Sequence, residues 1–149
     1  VNGLKNASDL SFSKEQIEAA IEAIGQPPTI RGEALTLEQF AQHVKLSLDA
    51  GGVRVADGGK MVRRVAVGGG SCGKMMDEAV AKGADTFVIG DCSYDIMMRA
   101  HDIGLNLLDA GHFPTENPVA RGFRDLIAEH FPDVPVYVSQ QHKDCITFY

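Results

Sequence analysis

Apolar and polar positions change period along the chain, and the change divides it. Over 13–25, Ser13-Lys14-Glu15-Gln16 reads as a capping box, in which hydroxyl and amide satisfy opposite unpaired N–H groups. Ile17, Ile21 and Ile24 then share a helical face that Gly25 ends. Residues 26–32, with Pro27-Pro28 and Gly32, read as a linker, so an N-terminal helix and linker (1–33) is predicted to precede a domain over 34–149. A second box, Thr36-Leu37-Glu38-Gln39, opens a helix carrying Leu37, Phe40, Ala41, Val44 and Leu48 on one side, and Gly51-Gly52 stops it.

Beyond that point strands and helices alternate. Strands are predicted over 53–55, 62–67, 86–89, 105–108, 136–138 and 146–148. Helices are predicted over 74–81, 93–101 and, as one long stretch, 112–131. Alternation of this kind requires crossovers, so the expected fold is α/β, a mixed and partly parallel sheet with helices on its faces. With 149 residues, 44% of them hydrophobic, the chain is long enough for a core without covalent staples.

Charge and cysteine usage narrow the classes of function. A formal charge of −6 and the scatter of Lys and Arg argue against a nucleic-acid partner. No apolar run approaches the roughly 20 residues that span a bilayer, so no membrane partner is expected. Three cysteines without CxxC spacing read as free thiols in a reducing cytoplasm.

Two stretches carry candidate chemistry. Gly68-Gly69-Gly70-Ser71-Cys72-Gly73-Lys74 follows a strand and opens a helix, which suits a tight turn, an anion contact or a dinucleotide fingerprint ending at Asp91. It also approaches a P-loop, but Met75 stands where Ser or Thr would hold Mg²⁺, which excludes triphosphate hydrolysis by this loop.

The second stretch runs from Leu107 to Glu116. A buried strand ends at Asp109, turns at Gly111 and presents His112 and Glu116 four residues apart on one face. Imidazole and carboxylate together suit zinc, iron or manganese. The alternative is a helix-start acid beside a solvated histidine. Asp91 and Asp95, on either side of Tyr94, read as helix caps or as carboxylates supporting a metal ligand. His101 reads as a partner of its helix C-terminus, and His43, His130 and His142 as surface residues.

Segments 64–71, 83–91 and 104–112, followed by Thr115-Glu116, resemble the C-terminal half of the Nif-three-like proteins, the dinuclear metal-centre family of GTP cyclohydrolase I type 2 homologues. The resemblance covers 34–149. It implies one half of a two-half α/β fold, a hexameric homo-oligomer and divalent metal ions held by His112 and Glu116. It further implies metal-dependent hydrolysis of a nucleotide or phosphoester. The family's other ligands come from a His-His-Pro motif and an acidic residue in its N-terminal half. This chain has no adjacent histidines, so a two-metal site would need that half as a partner. Asp95 also follows Tyr94 where the family carries histidine. No catalytic residue is assigned. The alternative function is a non-catalytic oligomeric scaffold or regulatory module, and a nucleotide-binding domain using 68–74 is a third reading.

Overall fold

The computed structural model describes residues 35–149; the predicted N-terminal helix and linker lie outside the described residues. Helix α1 (Leu37–Ser47) starts where the second capping box places it. The Thr36 hydroxyl accepts from the Gln39 amide N–H at 3.2 Å, and the Gln39 side chain accepts from the Thr36 N–H at 3.0 Å.

Four strands follow, β1 (Arg54–Ala56), β2 (Val65–Val67), β3 (Thr86–Ile89) and β4 (Asn106–Asp109), in the order β1-β4-β3-β2. β2, β3 and β4 are mutually parallel, and β1 runs antiparallel along β4. The central strands β3 and β4 are buried at every position, as expected for strands covered on both faces, with the apolar runs Phe87-Val88-Ile89 and Leu107-Leu108 at their centres.

Successive side chains of these strands face opposite layers. Phe87, Ile89 and Leu107 pack with Met76, Ala79 and Ala100, under α2 (Met76–Ala81) and α3 (Tyr94–Asp102). Val88 and Leu108 pack on the other side with Val44, Leu37 and Phe40 of α1. Thr86 and Asn106 are polar yet buried. Asn106 donates to the Lys60 carbonyl and the Thr86 hydroxyl and accepts from Gly58 N, so no buried side-chain polar atom among the described residues is left unpaired.

Several predicted boundaries shift. The strand predicted over 62–67 keeps only Val65–Val67, because β2 pairs with β3 over those three residues alone. The helix predicted from Lys74 begins as a 3-10 turn, Gly73–Met75, before α2. The predicted 112–131 helix divides into α4 (His112–Glu116) and α5 (Pro118–His130). Pro118 has no N–H to donate to the carbonyl one turn back, so the ladder stops at Asn117.

The strands predicted over 136–138 and 146–148 do not form among the described residues. Pro135 adjoins the first run, and neither segment finds a strand to pair with; Tyr137 and Ile146 stay exposed, and the Phe148 ring lies across Gly51 and Gly52 instead. The adjacent methionines divide between core and surface: Met76 and Met97 pack on the core while Met75 and Met98 are exposed. No helix among the described residues is long and apolar enough to cross a membrane.

The three cysteines are free and differ in exposure: Cys145 is exposed, Cys72 half-buried and Cys92 buried. Burial pushes the Cys92 thiol up to about 11, and the Asp109 charge adds to the shift. A thiol reagent applied around pH 8 is therefore expected to modify Cys145 first and Cys92 only once the chain unfolds. Mass spectrometry of labelled peptides checks this, and prompt native-state labelling of Cys92 would contradict it.

Candidate functional site

The site lies past the carboxyl ends of β3 and β4, where open α/β sheets place ligands. β4 ends at Asp109, Gly111 turns the chain with φ +88°, and α4 begins directly at His112. One helical turn separates His112 from Glu116, and their side chains meet: His112 Nε2 stands 3.3 Å from Glu116 Oε2. The other ring nitrogen, Nδ1, lies 3.3 Å from Asp91 Oδ2. His112, Glu116 and Asp91 are all solvent-exposed.

Carboxylates only accept hydrogen bonds. The ring therefore has an acceptor at each nitrogen, one from the β3–α3 loop and one from its own helix. Asp91 on Nδ1 is the arrangement that orients a metal-binding histidine through its second nitrogen. Ser71 Oγ lies 3.5 Å from the same Asp91 oxygen.

The glycine loop forms the third wall. Gly70 has φ +65° and is buried, and a side chain at this position would point between His112 and Glu116. A methyl group there would overlap Glu116 Oε1 and sit 3.0 Å from His112 Nε2. The loop is fixed in place: Gly70 N donates to Thr115 Oγ1 at 3.0 Å, and Gly70 O accepts from Gly90 N at 2.9 Å. Gly68 N and Cys72 N are likewise bonded within the protein, to Val88 O and Gly70 O. Those amides are engaged in shaping a tight turn, the first of the three readings of this loop.

Asp109 has a different role from His112 and Glu116. Only 4% exposed, it accepts four hydrogen bonds: Oδ1 from Asp91 N at 2.8 Å and Gly111 N at 3.0 Å, Oδ2 from Cys92 N at 3.1 Å and from the Arg54 guanidinium. Burial raises its pKa, but the bonds from Gly111, Cys92, Arg54 and Asp91 outweigh burial and hold the carboxyl below its ordinary range. Its lone pairs are taken, so it offers nothing to a cation. Asp95 sits in the first turn of α3, where a hydrogen bond from Ser93 holds its carboxyl below the usual value. Of the two aspartates beside Tyr94, Asp91 thus meets His112 and Asp95 serves its own helix.

The remaining histidines are elsewhere. His101 Nδ1 lies 2.5 Å from Asp57 O, His130 Nδ1 lies 2.9 Å from Leu126 O, His142 stacks against Phe113 and His43 lies beside Ser47. Among the described residues, no group of three or more His, Cys, Asp or Glu side chains is arranged to hold a metal ion. The chain brings two donors together, His112 and Glu116, around a gap that Gly70 keeps open.

Arg54 and Thr115 were not singled out by sequence reasoning as site residues. Arg54 enters only because β1 pairs antiparallel with β4 in a register that sets it opposite Asp109. Neither turn chemistry nor periodicity reveals that pairing. Thr115 stands between two candidate ligands in the sequence and belongs to the Thr115-Glu116 pair that carries the family resemblance, the two signals that mark it.

Fold and site define an α/β protein whose mixed sheet carries a histidine–carboxylate turn at the end of a parallel strand. The chain belongs to the Duf34/NIF3 (NGG1p interacting factor 3) family, whose pattern matches residues 4–145. It is 35% identical over 133 residues to the GTP cyclohydrolase 1 type 2 homolog of Bacillus subtilis, a match covering 87% of this chain and 35% of that protein. The Bacillus cereus protein related to NIF3, of known crystal structure, superposes with a TM-score of 0.63 at 39% identity, over 77% of this chain and 33% of that one. A Staphylococcus aureus protein of known crystal structure superposes with a TM-score of 0.71 at 30% identity, over 77% and 39% of the two chains. The chain thus spans about a third of the length of the curated Bacillus subtilis relative.

Proposed function

We propose that this chain supplies His112 and Glu116 as part of a divalent metal site, for zinc, iron or manganese, in a metal-dependent hydrolase acting on a nucleotide or phosphoester. The observation that carries the reading is the 3.3 Å convergence of His112 Nε2 and a Glu116 oxygen, with Asp91 on the opposite nitrogen. The donor chemistry fits: one borderline nitrogen and one hard oxygen suit these ions better than magnesium or copper(I). The gap at Gly70, which any side chain would fill, fits as well. When bound, the metal would supply Lewis acidity toward a phosphoryl group or ring carbon.

The residues of this chain hold the donors in place. Asp91 fixes the ring by accepting at Nδ1, leaving Nε2 directed at the Glu116 side. α4 carries both donors on one turn, and Gly70 keeps bulk out of the gap.

Two donors cannot complete even one tetrahedral site. The further ligands of this proposal come from a second polypeptide surface, either another copy in a homo-oligomer, a hexamer by family resemblance, or the part of the relatives' length that this chain does not span. The name of the Bacillus subtilis relative suggests GTP ring opening as one substrate assignment within the class.

A non-catalytic oligomeric scaffold is the second reading. It is favoured by α5, which leaves Val119, Phe123 and Leu126 exposed on one side and has no buried residue. Equilibrium dialysis of the chain against Zn²⁺, Fe²⁺ and Mn²⁺ tests the metal reading. Binding is expected to weaken by at least about tenfold in His112→Ala and in Glu116→Gln. Equal uptake by wild type and both variants would remove these residues from any metal site.

A further inference from the structure

Two loops must keep a fixed separation for the His112 ring to face both carboxylates. Asp91 lies on the loop after β3, and His112 follows the turn after β4. Both loops are tied to one buried group. Asp109 takes the N–H of Asp91 and of Cys92 from the first loop and the N–H of Gly111 from the second.

The fourth bond comes from Arg54 on β1, whose guanidinium also donates to the Cys92 carbonyl at 2.6 Å. The Arg54 side chain is half exposed while Asp109 is sealed, so the guanidinium closes the carboxylate off from solvent. Asp91 sits at φ +61°, a left-handed conformation that a non-glycine residue keeps only when its surroundings dictate it. The bond from its own N–H to Asp109 is one such constraint.

We infer that Asp109, clasped by Arg54, is a positioning residue that sets the orientation of the His112 ring by tying the Asp91 loop to the Gly111 turn. The inference rests on the metal-site reading of His112 for its purpose, but it concerns contacts that exist without a metal.

The test therefore has a metal-free arm. Nitrogen-15 spectra of histidine-labelled, metal-free chain report which His112 nitrogen carries the proton and whether Nδ1 is hydrogen-bonded, with Asp91→Asn as the reference for a lost partner. Asp109→Asn replaces an acceptor by an amide that cannot accept four N–H groups. It is expected to move the His112 signals toward those of Asp91→Asn and to weaken Zn²⁺ binding about tenfold, with far-ultraviolet circular dichroism unchanged. Arg54→Met is the milder variant and keeps the three backbone bonds. It is expected to move the same signals in the same direction by less, and Arg54→Lys to restore them in part.

Folded variants with wild-type His112 signals would overturn the inference, whatever the metal data show. If Asp109→Asn fails to fold, Arg54→Met and Arg54→Lys decide the matter. A wild-type chain that takes up no Zn²⁺, but whose His112 signals move as stated, would leave the positioning role standing and remove the metal reading.

Discussion

Gly70→Ala is expected to weaken the proposed cation binding at His112 and Glu116 strongly while leaving the chain folded. The new methyl would overlap Glu116 Oε1 and press on His112 Nε2. The loop cannot retreat, because Gly70 N is held by Thr115 Oγ1 and Gly70 O by Gly90 N. Glu116 is exposed and ends in a flexible carboxylate, so it is the group that swings away. The cost to the fold is then limited to placing alanine at φ +65°, about 1–2 kcal/mol. The cost to the proposed site is one of its two donors, a fall in Zn²⁺ affinity on the order of 100-fold. Isothermal titration alongside urea denaturation separates the two effects. Wild-type affinity in a folded Gly70→Ala chain would show that no cation occupies the gap.

Gly90→Ala should do the opposite, damaging the fold first. Gly90 ends the buried run of β3, and a methyl there would overlap the Gly111 carbonyl oxygen and lie 2.6 Å from Thr115 Oγ1. Those atoms cannot move independently: Thr115 Oγ1 donates to Gly111 O at 2.8 Å and accepts from Gly70 N. Neither obstacle is the free end of a side chain. Overpacking of this kind costs about 3 kcal/mol, offset by up to about 1 kcal/mol from the stiffer unfolded chain. The net loss of about 2–3 kcal/mol lowers Tm by roughly 4–12 °C for a chain of this size. Calorimetry checks it; an unchanged Tm would mean that the turn at Gly111 is not packed against Gly90.

These glycines show where sequence reading stops. A run of three glycines after a strand signals a turn, and several ligand-binding motifs share that signal. Which one applies depends on what lies opposite the turn. Here it is α4, with Thr115 45 residues beyond Gly70, and the Gly68, Gly70 and Cys72 amides bond to Val88 O, Thr115 Oγ1 and Gly70 O. The Asp109 carboxylate is a similar case. Its place at a strand end marks it equally as a ligand or as a structural acceptor, and only the convergence of three chain segments on it decides for the second.

Local chemistry determined much of this protein. The capping box at Thr36 specified the start of α1. The apolar runs Phe87-Val88-Ile89 and Leu107-Leu108 specified β3 and β4, because a strand buried on both faces shows little polar surface. The four-residue spacing of His112 and Glu116 put both donors on one helical turn, since that periodicity belongs to the helix itself. Tertiary structure alone decided the rest: that Asp91 meets His112, that Arg54 closes over Asp109, and that the runs at 136–138 and 146–148 remain unpaired. Each of these depends on which strand lies beside which and in what register. A residue's own neighbours in the chain carry no record of partners brought to it from across the sheet.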